Sequence, residues 1–466
     1  MADDAGARYH FGPLERRGLV AGWRGGQLAV VSAGLVAAVF VLRGHAGLAG
    51  VAGSIVLVAV AVALVTWPIA GRSAEQWAPE AVRHARTTAH RRRQRTGSPF
   101  AALSVVNVET GGAPGPALVH DSVLRTYTGV LRAWGHGFLL QGPTDKATQV
   151  ASWSSVLAAL ARQGSAVHRL QWVARCVPDD GSELRRHWGS YAVLSPDSPA
   201  QRSYAALLAT ETTSARRNEV WLAVTVDATR SARAVRAAGG GDPGACAVVL
   251  REAPWLRRQL SDAGIDSEPL LDSSGLASCV RRQFDSPTGA DVAVHPAWPW
   301  PMGVEAEWSR ARVDGSWVAT YWIAEWPRRD VGAEFLGPLL LADVRRTVSL
   351  VMEPLSSVAA TRHVERARTA DVADAELRRR GGFLATARRR REEEVLAEQE
   401  HELTEGHAQY RFSGYVTVTA VTCEELEDAC AGTEQAAGRS GIELRRCYGD
   451  QARALTCTLP LGRGLA

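Results

Sequence analysis

A nucleotide-driven reaction would ask for a lysine behind a glycine-rich turn, and this chain has one lysine to offer. Lys146 stands alone among 53 basic residues, in Pro143-Thr144-Asp145-Lys146 with no glycine immediately before it. A P-loop, G-x-x-x-x-G-K-[ST], uses its lysine to reach the β- and γ-phosphates, so an ordinary P-loop ATPase is excluded. A second candidate, Gly239-Gly240-Gly241-Asp242-Pro243-Gly244, precedes a predicted helix, where a loop can hold an anion at the helix N-terminus. It lacks the G-x-G-x-x-G spacing and reads first as a connector; a membrane-tethered nucleotide-binding enzyme built on it is the alternative from a different class. The 12 histidines are scattered with no H-E-x-x-H, and no serine sits in a G-x-S-x-G elbow. Asp179 and Asp180 fall at a strand end, where turn chemistry accounts for them. The cysteines (Cys176, Cys246, Cys279, Cys423, Cys430, Cys447 and Cys457) form no C-x-x-C pair and read as small buried apolar residues. No catalytic residue, cofactor or metal is expected, and the chain is expected not to be an enzyme.

Two other groups have the residue types of binding surfaces. Trp317, Tyr321, Trp322 and Trp326 resemble a stacking platform for single-stranded nucleic acid. Alternation along one strand explains them more simply, with half in a core and half under a neighbour. The segment 357–405 carries Arg378, Arg379 and Arg380, then Arg388, Arg389, Arg390 and Arg391 followed by Glu392, Glu393 and Glu394. Its apolar positions are too sparse for a buried pair of helices. An exposed charged hairpin is the plain reading, and a docking arm for a partner protein the functional one. The adjacent carboxylates oppose nucleic-acid binding by the arginines.

The elements that position these groups begin with two apolar stretches, Gly25–Leu42 and Ala46–Ala70, separated by Arg43, Gly44 and His45. About 17–25 mostly apolar residues cross a bilayer core, so the pair predicts a transmembrane hairpin. Arginines crowd both outer flanks while the turn holds only Arg43, and the positive-inside rule then puts the body in the cytoplasm. Arg24, Arg43, Trp67, Arg72 and Trp77 are the expected membrane-interface residues. A basic helix over 71–99 faces anionic lipid. The net charge of +4 is too small, and too concentrated beside the membrane, to read as a nucleic-acid footprint.

The remainder reads as an α+β body in two units, 100–286 and 316–466, joined by a Pro/Trp-rich link over 287–315. Each unit spells strand–helix–strand, helical insert, strand–helix–strand. The second strand ends in proline both times, at Pro178 and Pro354. That order is the split β-α-β of ferredoxin-like domains. In the second unit, Thr422-x-x-Glu425 opens a helix as a capping box, and Ile442–Cys447 and Ala454–Leu459 are the closing strands.

The chain resembles a family of actinobacterial membrane proteins of conjugation-type (type IV secretion-like) systems. The resemblance is carried by Phe11-Gly12-Pro13-Leu14-Glu15-Arg16-Arg17-Gly18, Gln171–Trp188, Tyr321–Pro354 and the Leu459-Pro460-Leu461-Gly462 ending. The second half also resembles the non-ATPase amino-terminal part of the conjugation ATPases. The resemblance implies a non-enzymatic inner-membrane scaffold that anchors a separate secretion ATPase, with a small two-helix membrane protein as a possible further partner in a multi-subunit complex. It transfers architecture and partnership and assigns no functional residue. A type VII secretion membrane subunit, which also pairs two helices with a cytosolic body, is the alternative within the same transport class.

Overall fold

A computed structural model of the chain describes residues 25–44, 47–66, 98–109, 115–178 (without 136 and 163), 198–284 (without 212–215), 299–356 and 408–465, with a few single residues outside these runs. It divides into two units, one holding Leu14–Gly97 with Tyr448–Asp450 and the other holding the rest.

The first unit is a pair of antiparallel helices, α1 (Gly25–Gly44) and α2 (Leu48–Thr66). The turn falls two or three residues later than the sequence suggests, with Gly47 at φ +118°. The helices meet on small residues. Gly34 lies opposite Ala61, where an added Cβ would come within 2.6 Å of the alanine methyl. Ser54 donates to the carbonyls of Ala38 (2.9 Å) and Gly50 (2.8 Å). Small side chains let the two helices approach closely, and the Ser54 hydroxyl bonds across to α1. Among the described residues, no helix is long and apolar enough to cross a membrane. Arg43 is exposed in the last turn of α1, whereas Arg24, Trp67, Arg72 and Trp77 lie outside the described residues.

The second unit is a mixed α+β body on one large antiparallel sheet. Its first half contains β1 (Leu103–Asn107), β2 (Ala117–Asp121), β3 (Thr126–Trp134), α3 (Pro143–Leu160), β4 (Val167–Pro178), α4 (Pro199–Glu211), β5 (Arg216–Asp227), α5 (Ala232–Ala237), α6 (Gly241–Asp262), β6 (Asp266–Leu270) and α7 (Ser273–Arg282). Its second half contains β7 (Val304–Ala306), β8 (Ala311–Val313), β9 (Ser316–Glu325), α8 (Gly337–Leu341), β10 (Arg346–Pro354), β11 (Tyr410–Ala420), α9 (Cys423–Arg439), β12 (Glu443–Arg446) and α10 (Gln451–Leu455). The strand order is β1-β2-β3-β5-β4-β10-β11-β9-β8-β7, with β6 beside β3 and β12 beside β9. The halves therefore run β6-β3-β5-β4 and β10-β11-β9-β12, mirror orders that meet where β4 pairs antiparallel with β10.

One face of the sheet is covered by helices. Leu131, Leu170, Leu222 and Val224 pack with Leu256 and Leu260 of α6 and Val156 and Leu160 of α3. Tyr321, Ile323, Val416 and Val418 pack with Leu426, Cys430 and Ala436 of α9. The other face carries Val130, Val173 and Ala223 under α7, with Leu455, Leu459 and Leu461 from the last described residues.

Two expectations change. Ala454–Leu459 is no strand: α10 runs into a series of turns, residues 456–465, here called the strap. Residues 300–315 are not a plain link, since they hold the β7–β8 hairpin and Trp300, which is 1% exposed and stacks on Phe100 at 5.9 Å.

Candidate functional site

The strap crosses the face of the sheet opposite α3, α6 and α9, and strand side chains take the place of a strand partner. Alternation puts Arg169, Gln171 and Arg175 of β4 on that face with Val173. The Gln171 amide donates to Cys457 O (3.0 Å), Leu459 O (2.9 Å) and Ser349 Oγ of β10 (2.8 Å). Its carbonyl oxygen accepts from the N–H groups of Leu461 (3.0 Å) and Gly462 (2.7 Å). Fully buried, this one carboxamide satisfies main-chain groups that would otherwise be orphaned. Arg169 donates to Gly462 O (3.1 Å) and Leu465 O (3.0 Å), and Tyr415 donates to Gly464 O (2.7 Å). Gly462 sits at φ +68°, and a Cβ there would overlap the Thr225 hydroxyl, so the Leu-Pro-Leu-Gly ending needs its glycine.

Arg169 also reaches Glu353, the centre of a charged knot. Glu353 Oε2 accepts from Arg169 (3.3 Å) and Arg411 (2.9 Å), and Oε1 from Arg230 (2.9 Å). His168 Nδ1 lies 3.2 Å from the Arg230 guanidinium and 3.9 Å from Glu353. Burial alone would push the Glu353 carboxyl up, but His168, Arg411 and Arg169 reverse this and hold it below the usual carboxylate range. Burial pulls His168 down to about 4, with Arg169 and Arg230 adding to that and Glu353 opposing it. The imidazole is therefore neutral at pH 7, and the arginines carry the attraction to Glu353. The knot sits at the root of the segment 357–405: β10 ends at Pro354, and Leu355 N donates to Gln409 O (2.9 Å) as the chain returns. Arg378, Arg379, Arg380, Arg388, Arg389, Arg390, Arg391, Glu392, Glu393 and Glu394 lie outside the described residues.

A second ion cluster stands at the opposite end of β4, from which the first insert leaves. Glu219 accepts from Arg175 (3.0 Å) and Arg282 (3.1 Å). Neither knot was legible in the sequence. Glu353 next to Pro354 reads as a turn residue, and the partners lie 58 to 184 residues away.

The other candidates resolve as structure. Gly239, Gly240 and Gly241 all have positive φ, and Gly244 packs so close to Val235 O that a Cβ would overlap it. Asp242, in the first turn of α6, accepts from Tyr127 (2.7 Å), and its carboxylate opposes an anion at that helix end. Tyr321 is buried, Trp322 donates to Ser413 (3.1 Å), and Arg310 and Arg312 lie over Trp317. These rings are committed to packing. None of the seven cysteines is in a disulfide, and burial raises the Cys246 thiol to about 11. No metal-holding cluster of His, Cys, Asp or Glu occurs among the described residues. A shallow cleft of about 410 Å³ between α3 and α6 is lined by Arg162, Arg251, Glu252, Trp255 and Arg258. Arg162 caps the Ala159 carbonyl and stacks on Trp255, and Arg251 pairs with Glu252.

Residues 214–323, from β5 through most of β9, match a family described as "EccE: Putative type VII ESX secretion system translocon". The match takes in part of each half of the sheet, while β4 and β10, whose pairing joins the halves, lie outside it. No curated protein matches the chain. What the chain is similar to is thus a membrane component of a secretion system, and the similarity points to type VII rather than to the type IV-like systems of the sequence expectation.

Proposed function

We propose that this chain is a non-catalytic membrane subunit of a type VII secretion translocon. The helix pair is its anchor, and the sheet, as two fused ferredoxin-like units, is a docking body. The single observation that carries the assignment is the similarity of residues 214–323 to the EccE translocon family. The mirror strand orders support the two-unit reading, because each is the order of a split β-α-β. Two features support a shared cytoplasmic side for the segment preceding α1 and the body. Arginines crowd both flanks of the helix pair. Tyr9, before α1, also forms an antiparallel bridge with Val331 of the body, which requires an even number of crossings between them. Secretion is powered in this reading by a separate ATPase. The lone lysine outside any P-loop and the Asp242 carboxylate at the glycine-rich loop both speak against nucleotide chemistry in this chain.

The test is purification of the full-length chain from its own host in mild detergent, followed by identification of the co-purifying subunits. Type VII membrane subunits and their ATPase are expected. Recovery with type IV subunits, extraction without detergent, or ATP hydrolysis by the isolated chain would overturn the proposal.

A further inference from the structure

Two residues ahead of α1, Tyr9 and Phe11, meet the body. Tyr9 N–H donates to Val331 O (2.9 Å) and Val331 N–H donates to Tyr9 O (3.1 Å). Two residues on, Phe11 stacks on Trp326 (5.3 Å between centroids, 22° between planes) and tilts against Phe335 (5.2 Å, 57°). Trp326 in turn meets Phe335 edge-on at 6.4 Å and Phe412 at 5.4 Å. Three elements supply this slot: the residue following β9, the loop before α8, and β11. Gly414 makes room for it, since a Cβ there would fall 2.5 Å from Ile323 and 3.1 Å from the Trp326 ring. Main-chain pairing with an alternate side chain in a pocket is the way an extended peptide is read by a sheet. Here it reads Tyr9 through its main chain and Phe11 through its ring.

We propose that the slot of Trp326, Phe335 and Phe412 is a docking site for the chain's own residues 9–11, acting as a clip. The clip does not depend on which secretion system the chain serves.

The test is hydrogen exchange followed by mass spectrometry on the full-length chain in detergent. Peptides containing residues 9–11 and 331–335 are expected to be protected. Phe11→Ala should speed their exchange at least tenfold while β4 and β10 keep their protection, and Phe11→Tyr should restore it. No protection at residues 9–11 in the parent chain, or identical exchange in Phe11→Ala, would overturn the clip. A Tyr9→Cys, Val331→Cys pair adds the second reading. Cross-linking within one chain is expected, and cross-linked dimers would assign the slot to a second copy and reject the clip. Neither readout involves a secretion partner, so failure of the clip and failure of the functional assignment are separable.

Discussion

Thr128 on β3 meets Thr225 on β5 at 2.9 Å, and Thr320 on β9 meets Thr417 on β11 at the same distance, the partners 97 residues apart in each case. Both pairs also touch the strap, through Leu461 O (3.4 Å) in the first half and the Thr458 hydroxyl (2.8 Å) in the second. At the rims the halves part ways. The first half is closed by Glu219, which holds the buried Arg175 and also Arg282, 54% exposed. The second half is closed by Glu353, which holds Arg230 and Arg411, 62% and 47% exposed, and also the buried Arg169, whose guanidinium reaches the strap. The helices following β3 and β9 also differ, 18 residues in α3 against 5 in α8. The polar seam ties both halves to the strap, and each rim stands at the root of an insert.

The largest test of this contrast is removal of the carboxylates. Glu353→Gln leaves Arg169 buried without its counter-ion, and breaking a buried pair in this way costs about 3–5 kcal/mol. Arg230 and Arg411 keep their solvent and add little. Glu219→Gln strands only Arg175 among buried groups and should cost less, because the strap is not anchored there. Urea unfolding midpoints of the two variants decide it, and a larger loss in Glu219→Gln would reverse the assignment of the strap anchor to the second rim.

Next comes pH, which acts on one rim. His168 is held neutral in the folded protein down to about 4, against 6.5 when unfolded. Between these values the unfolded chain binds more protons, so the stabilising contribution is complete above pH 6.5 and is lost as pH falls toward 4. The loss is at most about 3 kcal/mol. His168→Asn should flatten thermal midpoints across that window, and an unchanged slope would place the acid sensitivity elsewhere. Smaller still is Gly462→Ala, which combines a left-handed backbone with overlap at Thr225 and should cost about 2 kcal/mol by the same melting assay.

Strand ends and helix starts were legible because they are written in local signals. Pro178 and Pro354 close the corresponding strands. The Thr422–Glu425 capping box is present, with Glu425 N–H donating to the threonine at 3.2 Å. Ser316–Glu325 has the Trp, Tyr and Val that strands favour, although both of its faces are largely buried and burial does not alternate along it. The strap was not legible. Leu455, Leu459 and Leu461 repeat like a strand, but they lie against the core while a glutamine some 290 residues earlier satisfies the main chain. Arg169, Gln171 and Arg175 alternate on β4 like a wet face, and only the fold shows that the strap covers them. The arm residues chosen from charge alone lie outside the described residues, whereas Glu353 at its root, a single acid at a strand end, gave no signal.

The finest test separates the seam from the strap that crosses it. Thr128→Val removes a hydroxyl shared by Thr225 and Leu461 O, and Thr417→Val removes one shared by Thr320 and the Thr458 hydroxyl. Each should cost about 1 kcal/mol. If the halves were merely adjacent, the double variant would show the sum. The strap contacts both pairs, so loosening it at two points should exceed the sum by about 0.5–1 kcal/mol in a double-mutant cycle. Strict additivity would mean that β4–β10 pairing alone joins the halves. An excess would identify the strap as the element through which one half feels the other.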